Sequence, residues 1–196
     1  MKKWLWILLP IFFIGACAMP ETRIYSLYVP IDRGKTIHTK VDASIAIMIN
    51  SPRHLTQPYI VYRKSPYQLE ISRYSRWDES PEKRLCEVFK EAVSSIGIFK
   101  EIRVTNSLPG GYYSLMINLK KFERSDSGND SFSELVFDVN FISPDDKKLF
   151  QSTISKKSKL DDRTFLSLTK GLSNGLTEGV EEVKNRIEMS LKAHPH

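Results

Sequence analysis

The sequence predicts a single α/β domain with a mixed sheet, an antiparallel meander within that sheet, and two main helices. Three observations carry the prediction: a strand–helix–strand passage in the first half, three alternating strands after it, and two stretches with amphipathic helical spacing. The chain has 196 residues, 41% apolar and 27% charged. This composition suits one domain with a core and excludes a disordered chain, a collagen-like fibre, a coiled coil and a polytopic membrane protein.

The sequence of the first half of the domain predicts four strands and one helix. The strands are expected at 23–29, 43–49, 60–63 and 69–72, and the last two form a short hairpin. The helix has clear boundaries, because Ser80 can cap it, Pro81 occupies its first position and Gly97 follows its end. Its apolar side chains recur every three or four residues and must cover a sheet.

The second half predicts a meander and a second helix. A short strand at 101–104 precedes three longer strands, expected around 113–119, 135–141 and 149–154. Residues 124–131 are rich in Ser, Asp, Gly and Asn, which predicts a mobile hairpin loop. The final helix is expected from about 161 to 191. The passage from 43 to 104 favours a right-handed crossover.

Residues 1–16 have the composition of a secretory signal peptide. A basic start is followed by an apolar run that is shorter than the roughly 20 residues needed to span a bilayer. Residues 14–17, Ile-Gly-Ala-Cys, resemble a bacterial lipobox directly after that run. Cleavage there would leave Cys17 as the first mature residue, and its acyl chains would hold the protein on a membrane.

The mature chain is then expected to comprise the lipidated Cys17 with a short tether at 17–22, a domain at 23–192 and a frayed tail at 193–196. Ala18 stands where many inner-membrane lipoproteins carry a retention Asp, which favours the inner leaflet of the outer membrane, facing the periplasm. Loss of Lys2 and Lys3 with the signal leaves a net charge of +4. So small an excess does not favour nucleic acid as a partner.

One motif of catalytic type occurs, around Ser173. Residues 171–175 match the hydrolase pattern G-x-S-x-G, but they lie inside a helical pattern, whereas that motif works at a sharp strand-to-helix turn. Gly171, Gly175 and Gly179 also form a ridge without side chains. This ridge predicts either close packing on the sheet or a neighbouring subunit, or a weak, bent helix.

No other catalytic or cofactor chemistry is indicated. Four scattered histidines and one thiol of the mature chain give no metal-ligand cluster, and no glycine-rich phosphate loop follows a strand. We therefore predict a protein that is not an enzyme and needs no cofactor.

Aromatic and arginine side chains are concentrated between residues 58 and 77. These residue types dominate interface hot spots. Trp77 precedes the first helix and is equally interpretable as a packing anchor. The candidate interface residues are Pro58, Tyr62, Arg63, Arg76 and Trp77.

The order of these motifs resembles the ABC-type transport auxiliary lipoprotein family. The resemblance rests on residues 25–27 (Tyr-Ser-Leu), on the pattern of Pro52, Leu55 and the run 58–63, and on Arg76 with Trp77 before a helix. It implies a three-layer α/β domain and a role in envelope lipid transport. The implied partner is a channel protein with a mammalian-cell-entry domain, which carries phospholipid across the periplasm.

The sequence thus predicts a non-enzymatic, lipid-anchored docking subunit, with a homo-oligomer as a further possibility. Two alternatives differ in class. One is a structural or pilotin-like lipoprotein of another envelope machine, and the other is a lipid esterase using Ser173.

Overall fold

A computed structural model of the protein describes residues 21–31, 43–107 and 109–193. In these residues, eight strands form one mixed sheet, and the chain also forms two helices and a 3-10 turn at Arg53–Leu55. The strands are β1 Arg23–Tyr25, β2 Ser44–Asn50, β3 Tyr59–Ser65, β4 Gln68–Trp77, β5 Glu101–Val104, β6 Tyr113–Ser127, β7 Asp130–Ile142 and β8 Lys148–Lys159; the helices are α1 Pro81–Ile96 and α2 Phe165–Ala193.

The long strand β6 organises the sheet. On one edge it pairs antiparallel with β7, which pairs in turn with β8, so the predicted meander is confirmed. On its other edge β6 pairs in parallel with two strands, β2 along its first half and β3 near its end. Beyond these partners lie β5 next to β2, and β4 and then β1 next to β3.

Helix α1 begins and ends where the sequence predicts. The Ser80 side chain accepts a hydrogen bond from the Lys83 backbone N–H, which satisfies one of the free donors of the first turn. Gly97 ends the helix with φ of 72°, a left-handed conformation that glycine adopts without steric cost. The apolar face between them is buried.

Both helices pack on the same face of the sheet. Phe89 of α1 contacts Phe137 of β7 edge-on, with ring centroids 5.7 Å apart. Gly179 of α2 approaches the same ring, so that an added Cβ would lie 3.2 Å from it. The α/β class, the mixed sheet and the two helices are therefore confirmed.

The opposite face of the sheet, which we call the open face, carries polar side chains. Along β6 and β7, most of the buried apolar residues alternate with polar ones, such as Asn118, Lys120 and Asp138. Such alternation is typical of antiparallel strands that pack one face on the core and leave the other face to solvent. Over the described residues the domain thus has two layers, where the resemblance implies three.

Two further expectations are corrected. The predicted loop at 124–131 is strand except for a two-residue turn, because Arg124, Asp126 and Ser131 hydrogen-bond to one another across β6 and β7. The first strand ends at Tyr25 rather than residue 29. The chain beyond it leaves the sheet and is held by the helices: the Arg84 guanidinium donates to the Leu27 carbonyl.

Candidate docking surface

Tyr62 of β3 fixes that strand against the start of α2. Its ring centroid lies 6.1 Å from that of Phe165, and the Arg124 guanidinium lies 4.9 Å from the Tyr62 ring centroid. The phenol donates a 2.6 Å hydrogen bond to Glu70 of β4. This bond, followed by burial, raises the pKa of Tyr62. Tyr62 is therefore held by internal contacts on the helix side of the sheet.

Arg63, the next residue of β3, points to the open face and pairs with Glu123 of β6. Its Nε lies 2.7 Å from Glu123 Oε1, and its Nη2 lies 3.2 Å from Oε2. The hydrogen bond that Arg63 donates to Glu123 raises the pKa of Arg63. Such bidentate pairing fixes the orientation of the guanidinium plane as well as the position of its charge. Like Tyr62, Arg63 has an internal role that joins β3 to β6.

Glu134 of β7 stands directly opposite Glu123 and is also neutralised internally. Lys121 Nζ, Lys157 Nζ and Ser125 Oγ each lie 2.7 Å from its carboxylate oxygens. Burial alone would raise the pKa of Glu134, but these three hydrogen bonds lower it to about 2. Both carboxylates of this part of the open face are thus paired with cations of the sheet itself.

An exposed row crosses three strands on the open face. Ile24 of β1 is the register partner of Arg76 of β4, and Arg76 is the partner of Tyr59 of β3. All three side chains are exposed. We call them the β1–β4–β3 row. Their neighbours Tyr25 and Trp77 point the other way, towards the helices, so the strands that carry the row are packed against the core.

Trp77 is a packing anchor, and its ring is not available to a partner. It is 2% exposed and meets Phe122 edge-on at a centroid distance of 5.6 Å. Pro58 is half-buried, and its carbonyl accepts the Trp77 backbone N–H at 3.0 Å. Of the five candidate interface residues, Arg76 therefore offers the most accessible side chain.

Several exposed residues of this region were not singled out from the sequence. Ile71 and Arg73 of β4 line a groove of about 620 Å³ that runs beside Tyr74 to Phe165 of α2. The sequence predicts Ile24 only as part of a strand. The missing signal is a register shift: β4 bulges between Ile71 and Arg76, so simple alternation does not identify its exposed side.

Ser173 lies in the middle of α2 and is buried. Its Oγ accepts a 3.1 Å hydrogen bond from the Tyr28 backbone N–H, which ties the segment after β1 to the helix. A nucleophile elbow needs a strand-to-helix turn that exposes the serine. The geometry at Ser173 is the opposite of that arrangement, and the esterase alternative is withdrawn.

The glycine ridge of α2 packs on the sheet. A Cβ added at Gly171 would lie 2.6 Å from Ser133 Oγ. At Gly175 it would lie 3.2 Å from Lys156 Cβ, and at Gly179 it would lie 3.2 Å from Ile154 and from the Phe137 ring. The structure thus places all three glycines where the helix backbone approaches β7 and β8.

The predicted signal peptide and Cys17 lie outside the described residues. None of the helices within the described part of the chain is long and apolar enough to cross a membrane. In residues 21–31, 43–107 and 109–193, no group of His, Cys, Asp or Glu side chains is arranged to hold a metal ion.

Solved structures with the same fold include proteins from two bacteria. A Xanthomonas campestris protein matched by the family model DUF330 has a TM-score of 0.72 and 15% identity, covering 87% of this chain and 97% of its own. A hypothetical protein from Chlamydia trachomatis has a TM-score of 0.52 and 10% identity, covering 79% of this chain and 100% of its own. At such identities the likeness shows the fold alone.

No curated protein sequence matches the chain significantly. A family model does: the model described as ABC-type transport auxiliary lipoprotein component matches residues 25–184, which include strands β2 to β8, the whole of α1 and the first two thirds of α2. The chain therefore belongs to the ABC-type transport auxiliary lipoprotein component family.

Proposed function

We propose that this chain is a non-enzymatic lipoprotein subunit of an envelope system that transports phospholipid, and that it docks a channel protein bearing a mammalian-cell-entry domain. Membership of an auxiliary lipoprotein family of ABC-type transport supports the coarse assignment to a transport system. The partner and the cargo are proposed beyond that assignment.

The observation that carries the docking role is the β1–β4–β3 row. An aliphatic, a guanidinium and a phenol side chain stand side by side on neighbouring strands, and arginine and tyrosine are enriched among the residues that supply most of the binding energy at protein interfaces. The strands beneath them are fixed by the buried Trp77 and by the Arg63–Glu123 pair. Such a surface is already ordered before a partner arrives, which lowers the entropic cost of binding.

The proposed anchor is Cys17 on the inner leaflet of the outer membrane. The described chain begins at residue 21, only four residues later, and four residues reach at most roughly 14 Å. Ala18 in place of a retention Asp supports outer-membrane sorting. The domain would thus stand close to the lipid, where a periplasmic channel has to end.

The docking proposal is tested by photocrosslinking in intact cells. A photoreactive residue replaces Arg76, and a control chain carries it at Met189, an exposed position near the end of α2. We expect capture of a protein with a mammalian-cell-entry domain from Arg76 and not from Met189. Capture of nothing, of copies of this chain alone, or of the same protein from both positions contradicts the proposal.

The anchor is tested separately with Cys17→Ser. This change should abolish acylation and release the protein from the membrane fraction, since the acyl chains supply the membrane affinity. Cys86→Ser is the matched control, because Cys86 lies half-buried in α1, is free and is not in a lipobox. Unchanged membrane association of Cys17→Ser contradicts the anchor.

A further inference from the structure

We infer that the edge of the sheet formed by β1 and the first part of β4 rests on the headgroup layer of an anionic membrane, through Arg23, Arg73 and Tyr74. We call this edge the tether edge. The inference rests on the proposed anchor at Cys17 and adds to it the orientation of the domain on the lipid.

The path of the chain places the tether edge nearest the membrane. Arg23 of β1 is the parallel partner of Ser75, so the residues before Arg23 leave the sheet towards the start of β4. Glu21 and Arg23 line a groove of about 490 Å³ together with Tyr74 and Ser75. Since Glu21 is four residues from Cys17, this groove lies within roughly 14 Å of the proposed acyl attachment.

The tether edge carries free positive charge beside an aromatic ring. Arg23 and Arg73 are exposed, and among the described residues neither guanidinium has a hydrogen-bond or ion-pair partner. Glu21 contributes one negative charge to the same edge. Tyr74 is 50% exposed. Arginine stems and tyrosine rings have an apolar body and a polar end, which suits the boundary between headgroups and acyl chains.

The shape of β4 favours a lipid surface over a protein strand as the occupant. The β3–β4 register moves from Tyr59 and Arg76 to Val61 and Ile71, which leaves residues 72–75 as a bulge. The Ser75 backbone N–H donates to Ser72 Oγ at 3.1 Å and closes the bulge. A bulged edge is a poor template for an added strand, because its backbone groups are out of line. The same bulge displaces Arg73 and Tyr74 outwards.

The test uses the acylated protein on vesicles of phosphatidylethanolamine and phosphatidylglycerol whose chains are brominated. Tyr74→Trp installs a probe at the tether edge, and Met189→Trp installs a control probe. Phe165 lines a groove with Tyr74, and Met189 lies 24 residues further along α2, or about 36 Å. The native Trp77 is buried and gives the same background in both variants.

We expect bromine to quench the emission of Tyr74→Trp and to leave that of Met189→Trp near its value on unbrominated lipid. Adding Arg23→Gln and Arg73→Gln should reduce the population held against the surface by roughly fivefold for each arginine, so the emission recovers. Adding Lys90→Gln and Lys147→Gln instead removes the same charge from exposed positions away from the tether edge, and quenching should persist.

Each other outcome is decisive. Equal quenching at the two positions, or quenching of Tyr74→Trp that ignores both arginines, overturns the inference. Absence of quenching in protein that floats with the vesicles overturns it while leaving the anchor intact. Acylated protein that fails to float with the vesicles refutes the proposed anchor and the inference with it, which distinguishes the two failures.

Discussion

Arg63 and Glu123 form a bidentate ion pair across neighbouring parallel strands, although they lie 60 residues apart in the chain. Glu123 is 2% exposed, and its register partner on β7 is another carboxylate, Glu134. Like charges directly opposite each other destabilise a sheet. Here each carboxylate is compensated from its outer side, by Arg63 on β3 and by Lys157 on β8, so that two carboxylates lie between two cations in a row across four strands.

Arg63→Ala should destabilise the domain strongly. It leaves the buried Glu123 carboxylate without its cation and next to Glu134. Removing one partner of a buried pair costs about 3–5 kcal/mol, and the 30% exposure of Arg63 places the expected loss nearer 2–3 kcal/mol. Urea unfolding measures the change in the free energy of unfolding.

Arg76→Ala is the matched control for that measurement. Arg76 is exposed and, in the described part of the chain, has no ion pair, so its loss should change the free energy of unfolding by less than about 0.5 kcal/mol. Similar effects of Arg63→Ala and Arg76→Ala would show that the Arg63–Glu123 pair contributes nothing beyond a surface charge.

Glu134 should make the stability of the domain depend on acid pH. Its pKa in the folded state is about 2, below its ordinary value of 4.5. Between these two values the unfolded chain binds more protons than the folded one, so stability rises with pH there. The contribution is fully present above about pH 4.5 and is lost as the pH falls through about 2. A lowering of this size corresponds to roughly 3 kcal/mol.

The variant Glu134→Gln isolates this contribution. It keeps the shape of the side chain and removes the titrating group, while every other carboxylate stays the same. Urea unfolding at intervals from pH 6 to pH 2 should show a larger fall for the native chain than for Glu134→Gln. Parallel curves for the two proteins would contradict the assignment of a low pKa to Glu134.

Local patterns were sufficient to predict the helices and the meander. The cap at Ser80, the glycine at Gly97 and the alternation along β6 and β7 are each set by a few neighbouring residues, and the structure has these elements where they are expected. Even so, residues 124–131 misled, because serine and aspartate side chains that usually favour loops hydrogen-bond here across two paired strands.

The candidate surface was less predictable, because it depends on register. Arg76 was recognised as an interface candidate, but its neighbours Ile24 and Tyr59 join it only through the pairing of three strands. Trp77 could equally have been exposed or buried, and only the packing of Phe122 on the far strand β6 decides between these outcomes. A local sequence pattern cannot predict a contact between residues as far apart in the chain as Trp77 and Phe122.

Gly171→Ala should destabilise the protein even though alanine favours helix. The added Cβ would lie 2.6 Å from Ser133 Oγ and 2.9 Å from its Cβ, so the helix or β7 must move. Overpacking of this kind costs about 1–3 kcal/mol, against a gain of roughly 1 kcal/mol in helix propensity. We expect a lower melting temperature by calorimetry.

Gly175→Ala is the internal comparison for that change. Its Cβ would meet Lys156 Cβ at 3.2 Å, and a small displacement of one lysine relieves the contact. We therefore expect a free energy of unfolding within about 1 kcal/mol of the native value, since propensity and crowding nearly cancel. Equal destabilisation at both positions would mean that the two contacts with the sheet are equally tight.

Ser173→Ala should weaken the domain slightly and leave its chemical reactivity unchanged. It removes the acceptor of the Tyr28 backbone N–H, and the loss of one such hydrogen bond costs about 0.5–1.5 kcal/mol. Ser94→Ala is the control, because the Ser94 hydroxyl donates to the Lys90 carbonyl at an exposed position of α1, where water can replace the bond, so the free energy of unfolding should change by less than about 0.5 kcal/mol. A fluorophosphonate probe, which labels activated serines, should leave Ser173 of the native protein unmodified. Stoichiometric labelling at Ser173 would require an accessible, activated hydroxyl and would contradict its place inside the helix.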